Sequence, residues 1–551
     1  MLPRRTILRA SAAALASPAI LTSLAGRASA TASTLSIDVQ NNTGSNTVYA
    51  YVTGLAIDNG NAWYLLQADG QTPYYPSSPS STGAPLAVDC AIPLNASGAG
   101  AKRITIPRIA GGRLWFSVDQ KLTFLLNPGP ALVEPSVSNS SDPNINTQWD
   151  FCEFTFNSSQ LYANISAVDF VAIPISLKLT NSSGGTQSVA GLPAGGLDTV
   201  CAGLTAQHAS DGQGWDQLIV TSGGQNLRAL SPTNGIVRNS SLFSGYYSAY
   251  LNQVWSKYAS TPLYVDTQAS WGTLTGTVSG GLLTFPGVGT FSQPSSADIF
   301  SCNSGPFNVS SAEMGAITAR ISAALNRSTL LSDANQPDGE SPATYYTTTP
   351  TNHYARLVHA TSSDGRGYAF PYDDVTPNGG TDQSGYVSDG NPTLLTVTLN
   401  AVHGSGTTTP PAGGSGSAFS TIQASSYTSQ SGTTTETTTD TGGGYDVGYI
   451  AGGDWLGYAN LDFGSGGATQ FVARVASGAA ANVSGLVQVA LDSPTATPVG
   501  SFSLASTGGW QTWVTVPANI SKVTGVHTVY LTFASGQPAD FVNLHWFTFG
   551  A

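Results

Sequence analysis

Charge is scarce in this sequence. Only 9% of its 551 residues are Asp, Glu, Lys or Arg, and 19 basic residues face 31 acidic ones, for a formal charge of −12. A surface so poor in cations repels a phosphate backbone, which excludes nucleic acid as a partner. Solubility must then rest on Ser, Thr, Asn and Gly, a surface suited to a neutral polymer. After residue 30 no run of about 18 apolar residues occurs, so no membrane partner or spanning helix is expected. Cysteine is limited to Cys90, Cys152, Cys201 and Cys302, with no C-x-x-C spacing, which argues against a thiolate zinc site. The six histidines form no H-E-x-x-H pair, and there is no G-x-S-x-G elbow, no G-x-G-x-x-G after a strand and no P-loop. Nucleotide, flavin and zinc-hydrolase chemistry are set aside on those grounds, and neither cofactor nor metal is expected.

What is present points outside the cell. Residues 1–30 carry Arg4, Arg5 and Arg9, then an apolar stretch and a terminal "ASA", the pattern of a signal peptide. Eleven N-x-S/T sequons, among them those at Asn95, Asn139 and Asn482, fit a secreted glycoprotein. In that compartment four cysteines fit two disulfides, in any of three pairings. The stretch "GSGTTTPPAGGSGSA", 404–418, has no large apolar residue and reads as a linker. It divides the mature chain into a large unit, 31–403, and a small one, 419–551.

The large unit is strand-like at "LSIDVQNNT", "TVYAYVTGL", "RLWFSVD" and "LTVTLNAV", bounded by Gly, Pro and Asn. Two helices stand out. "SSAEMGAITARISAALN" aligns Met314, Ile317, Ile321 and Leu325 behind a Ser310 or Ser311 cap, and "SGYYSAYLNQVWSKY" aligns Tyr247, Leu251, Val254 and Trp255. A β-rich first part and a mixed α/β second part are expected. The small unit, with short strands and regular turns, reads as a β-sandwich.

One segment carries chemistry. In "WDFCEFTFNSSQLYANISAVDFVAIPI", Glu153 and Asp169 sit in apolar, extended runs, and no Lys, Arg or His occurs between Lys121 and Lys178. Strand alternation puts Glu153, Thr155 and Asn157 on one face, a carboxylate, a hydroxyl and an amide suited to sugar hydroxyls, with Cys152, Phe154 and Phe156 on the other. A hairpin centred on residue 161 would oppose Glu153 and Asp169. Two acids so placed without a cation repel, so one should hold its proton to higher pH, as a general acid requires. A bulge would be needed to aim Ser166 and Asp169 at one cleft.

The pieces "WDFCEFTFN", "ISAVDFVAIPISL" and "YAFPYDDV" resemble glycoside hydrolase family 64, the laminaripentaose-producing β-1,3-glucanases, over roughly residues 34–403. The resemblance implies a thaumatin-like β-barrel subdomain beside a mixed α/β subdomain, with a wide cleft. It makes Glu153 the general acid and Asp169 the general base of an inverting hydrolysis, whose carboxyls stand about 6.5–9.5 Å apart. Thr155, Asn157, Ser166, Asp373 and Asp374 match glucan-contacting positions, and Tyr162 falls where the family favours Trp.

The small unit resembles a family 6 carbohydrate-binding module, through "VGYIAGGDWLGYANLDFG", "GGWQTWVTV" and "VNLHWFTF". That resemblance implies a jelly-roll sandwich in which Tyr449 and Trp510 stack on a sugar and Asn543 clamps it. Trp455, Trp513 and Trp546 are expected in the core. Such modules often hold Ca²⁺ through an acidic residue near their start; here Ser425 occupies that place, so no metal is expected. The expectation is a monomeric, secreted, mainly β enzyme acting on β-1,3-glucan. The alternatives are a thaumatin-like wall protein that binds glucan without cleaving it, and a glycosidase for another polysaccharide such as xylan.

Overall fold

Alternation builds the sheets as the sequence suggests. Thr34–Asn41 buries Leu35, Ile37 and Val39 while the residues between them stay at least partly open. It pairs antiparallel with Lys102–Pro107 and parallel with Pro392–Leu399. The computed structural model describes residues 31–403, 416–419, 421–427, 429–440, 445–464 and 466–550. The N-terminal segment 1–30 and linker residues 404–415 lie outside them. The chain forms two compact units that divide after Gly406, each with its own hydrophobic core.

In the large unit a five-stranded sheet runs in the order Thr186–Val189, Ile175–Asn181, Pro392–Leu399, Thr34–Asn41, Lys102–Pro107. The eight-stranded sheet places Tyr386–Asp389 at one edge, followed by Leu161–Ile165, Gln148–Phe156, Ile109–Val118, Val48–Ala56, Ala62–Leu66 and Pro73–Tyr74, with the short strand Ile92–Pro93 also pairing Val48–Ala56. Gln148–Phe156 and Ile109–Val118 approach closely where Gly112 faces Phe154, because a Cβ there would meet the ring at 2.5 Å.

Among the described residues of this unit the six α-helices all lie between residues 196 and 361, after which the chain returns through Tyr386–Asp389 and Pro392–Leu399 to both sheets. The mixed part is therefore inserted between strands of the β part and does not simply follow it. Ala312–Arg327 starts where expected: Ser311 caps it by accepting from the Met314 N–H, and Met314, Ile317, Ile321 and Leu325 are buried. Burying such side chains stabilises by roughly 1.5–3 kcal/mol each. Ser248–Ser260 buries Leu251, Val254 and Trp255.

The cysteine expectation is overturned. All four thiols are unpaired and buried on separate elements, in a loop, a strand, a helix and a helix terminus. Burial pushes Cys90 and Cys201 up to about 12, which leaves both inert. Three sequon asparagines, Asn41, Asn164 and Asn326, are buried and closed to a glycan. Among the described residues no helix is long and apolar enough to cross a membrane.

The small unit is a β-sheet that folds over on itself, its halves joined through the long strand Gly509–Val523. Its core is phenylalanine-rich: Phe463 packs on Phe549 at 4.9 Å and Phe471 on Phe502 at 6.0 Å. Trp455, Trp513 and Trp546 are half-buried and stand outside that core, a correction to their reading as core residues.

Candidate active site

The eight-stranded sheet sets out the candidate acid in a row. Thr53, Arg113, Glu153, Asn164 and Tyr386 are successive cross-strand partners, so their side chains leave one face. Glu153 therefore has a cation that its own segment lacks. Arg113 donates through Nε and Nη2 to Glu153 Oε1 at 3.2 and 3.1 Å, and through Nη1 to Glu134 Oε2 at 2.9 Å. Burial pulls the guanidinium down, but Glu134, Glu153 and Asp169 outweigh it and hold its proton more tightly than usual. Glu134 is itself held by Thr53, whose hydroxyl accepts from the Trp115 indole at 2.9 Å. The premise of two acids without a cation does not hold.

Asp169 is not the hairpin partner of Glu153. The hairpin pairs Glu153 with Asn164 and Phe156 with Leu161, so it turns at "NSSQ", earlier than expected. A bulge does occur at Thr155, but against Ile109–Val118. The chain leaves the sheet after Ile165, bridges Tyr368 through Ser166 and presents Asp169 at the surface. Three contacts fix that turn. Asn234, in the helix Pro232–Arg238, donates to Asp169 Oδ1 at 3.1 Å and to its carbonyl at 2.9 Å. The Ser231 N–H donates to the same carbonyl. Behind Asp169, the buried Asp150 accepts from the N–H groups of Ala172 and Ile173 at 2.8 and 2.9 Å. Burial pushes Asp150 up to about 7 despite these bonds.

The other predicted contacts separate into two groups. Thr155 and Tyr162 are half-buried cross-strand partners on the Glu153 face. Asn157 caps the hairpin turn, its Oδ1 accepting from the Ser159 and Gln160 N–H groups, which leaves its amide nitrogen for other work. Tyr162 stacks on Tyr386 at 5.0 Å and 21°. Its phenol is raised by burial, then by Asp374, Asp382, Tyr386 and Glu153, which places those groups in one electrostatic neighbourhood. Asp374 is pushed up to about 6 by burial and by Asp382.

Ser166 and Asp373 face inward. Ser166 is 7% exposed and lines a small cavity of about 30 Å³ beside Asp150, too small for a sugar ring. Asp373 is fully buried: Arg327 at 3.2 Å, His359 at 2.9 Å and the Ala369 N–H at 3.0 Å occupy its oxygens. Neither is open to a sugar, because each serves the wall behind the site. Sequence reasoning missed Arg113, Glu134, Asn234 and Asp382. An Arg at the head of the strand "RLWFSVD", in a chain with so few cations, was the one available signal.

In the small unit Tyr449 is 57% exposed and Trp510 38%. Gly478 lets the Trp510 indole lie against the backbone, since a Cβ there would meet the ring at 2.6 Å. Asn543 is 2% exposed, and its Nδ2 is taken by Glu436 at 2.5 Å, Asp446 at 3.2 Å and the Trp510 carbonyl at 3.1 Å. It therefore braces Trp510 and cannot offer that nitrogen to a hydroxyl. Burial and then Glu436 push Asp446 up to about 6. Ser425 lies in the short turn Ala424–Ser426, and among the described residues no group of three or more His, Cys, Asp or Glu gathers to hold a metal ion.

A family model described as beta-1,3-glucanase matches residues 33–399, and one described as carbohydrate binding module (family 6) matches residues 423–551. The chain is 30% identical over 416 residues to a glucan endo-1,3-beta-glucosidase of Cellulosimicrobium cellulans, covering 74% of this chain and 72% of that one. A solved laminaripentaose-producing beta-1,3-glucanase in complex with laminaritetraose is 33% identical, with a TM-score of 0.60, over 67% of this chain and 99% of that one. Over 123 residues, 22% of this chain and 23% of the other, this chain is 42% identical to endo-1,4-beta-xylanase A of Thermoclostridium stercorarium.

Proposed function

The chain belongs to the β-1,3-glucanase family, and from that membership we propose that it is a secreted enzyme that cleaves β-1,3-glucan with inversion, laminaripentaose being the main product. Glucan endo-1,3-β-glucosidase activity is the coarse assignment. The observation that supports pairing Glu153 with Asp169 as acid and base is the shared field of Arg113: Glu153 is fixed through one oxygen, and Asp169, held by Asn234, lies within reach of the same charge. Glu153 then delivers its proton from Oε2 to the glycosidic oxygen as the anomeric C–O bond breaks. Asp169 takes a proton from a water that attacks the anomeric carbon from the opposite face. Tyr162, Thr155 and Asp374 would hold the sugar rings, and Tyr449 with Trp510 would grip the same polymer through ring stacking. Export would proceed through the basic, apolar segment 1–30.

The test is a timed digest of linear β-1,3-glucan, with products sized and the anomer of the newly formed reducing end read by NMR. An initial α-anomer and a dominant product near five sugars are expected. An initial β-anomer would sink inversion. A broad ladder would remove the product assignment alone, and no release with retention on the polymer would return the binding-protein alternative.

A further inference from the structure

Arg113, Glu153, Asn164 and Tyr386 are directly opposed across four neighbouring strands, so Asn164 flanks the candidate acid on the side away from the arginine. Such partners hold their Cβ atoms roughly 4.5–5.5 Å apart. Arg113 engages only Oε1 of Glu153, with two N–H groups. On the other flank Asn164 is 7% exposed, and its Nδ2 is closed from solvent with no hydrogen-bond partner among the described residues. A buried amide donor left unmatched is unfavourable and rare in folded chains. This one stands beside the carboxyl group that must gain a negative charge during catalysis.

We propose that Asn164 is a positioning residue for Glu153, its Nδ2 donating to Oε2 once the proton has left for the glycosidic oxygen. The O–H bond of Glu153 breaks, its electron pair stays on Oε2, and the proton ends on the departing sugar hydroxyl. Rotation about the soft terminal torsion of Asn brings the donor round. The carboxylate then meets Arg113 on one oxygen and Asn164 on the other, so the donor is matched only along the reaction. The inference rests on the reading of Glu153 as the acid. The other charged or titratable groups facing Glu153 are Tyr162 and Tyr368, with Asp374 beyond them, while Glu134 and Asp169 act across Arg113. None of these offers a second buried amide donor.

The experiment compares full-length wild type, Asn164→Ala, Asn164→Asp and Glu153→Gln on soluble β-1,3-glucan, with kcat and KM followed across pH. Asn164→Ala should lower kcat about tenfold with KM nearly unchanged. It should also move the alkaline limb of the kcat profile up by about one pH unit, because a tenfold loss of carboxylate stabilisation is one unit. Asn164→Asp, of the same shape but a second anion, should move the limb further in the same direction and decides the matter if the alanine variant does not fold. A limb that stays in place in the folded variants overturns the proposal, with or without a fall in kcat. If Glu153→Gln retains turnover, the acid assignment fails and this inference falls with it. An inactive Glu153→Gln beside an unshifted Asn164 limb defeats this inference alone.

Discussion

Arg113 sits among Glu134, Glu153 and Asp169, and its removal would leave an uncompensated acidic cluster. Arg113→Met should cost about 2 kcal/mol of stability, the range for hydrogen bonds to charged groups, and reduce kcat about a hundredfold through misplacement of Glu153. Denaturant midpoints and kinetics on soluble glucan measure the two effects separately. Arg113→Lys should recover the stability but little of the rate, because an ammonium lacks the fork that pins Oε1. A second carboxylate yields a pH prediction. Burial and then Asp382 push Asp374 up to about 6 from an ordinary 3.8, so folding favours its protonated form; its contribution is fully present below pH 3.8 and is lost as pH rises through about 6. Asp374→Asn should therefore raise the melting temperature at neutral pH and change little in acid. The gain is about 1–2 kcal/mol, less than full burial would give, because the side chain is half-buried. An equal gain at both pH values would refute the linkage. Glu153 and Asp169 were legible because carboxylates are rare in apolar runs, but their partners were not: Arg113 and Asn234 lie 40 and 65 residues away, and only strand register and a helix cap bring them in.

The hairpin Gln148–Phe156 to Leu161–Ile165 shows why elements were easier to read than their pairing. Its alternation marked the outward face correctly, but the turn at "NSSQ" shifted the register and put Asn164, in place of Asp169, opposite Glu153. The helices Ala312–Arg327 and Ser248–Ser260 announced themselves by a clean apolar stripe. Gly196–Asp211 did not: it opens on glycine and carries Gly203, which allows Leu357 of the helix His353–Thr361 to approach within 2.4 Å of where a Cβ would lie. The edge strand Tyr386–Asp389 was invisible for another reason, because its four residues gain their place only by pairing with Leu161–Ile165. That strand delivers Tyr386 onto Tyr162, and a stacked pair broadens a platform that a single phenol leaves narrow. Tyr386→Ala should raise KM for soluble glucan about three- to tenfold, the worth of one aromatic contact, with kcat nearly unchanged. Tyr386→Phe should keep the wild-type value. A fall in kcat alone would instead assign the ring to the chemistry.

Each unit has its own hydrophobic core among the described residues. In the catalytic unit the β framework is completed by strands that return after the helical insertion, so the last of them, Pro392–Leu399, cannot be trimmed without opening both its neighbours. The division after Gly406 is a safer cut. Truncation after residue 406 should leave kcat/KM on soluble glucan within about twofold, since every residue assigned to catalysis lies before it. On insoluble glucan the full chain should gain from a second grip, because tethering converts encounter with the polymer into a local event and raises effective concentration by large factors. The truncated enzyme should therefore release soluble sugar at least about tenfold more slowly from the solid, and Tyr449→Ala with Trp510→Ala in the full chain should reproduce that loss. Pelleting of the protein with the polymer, measured beside product release, separates the steps. If the double variant still pellets but turns over slowly, the exposed aromatics act on the chain that is cut and not on anchorage. If truncation slows both substrates equally, the small unit supports the catalytic fold and its sugar-binding surface serves another polymer.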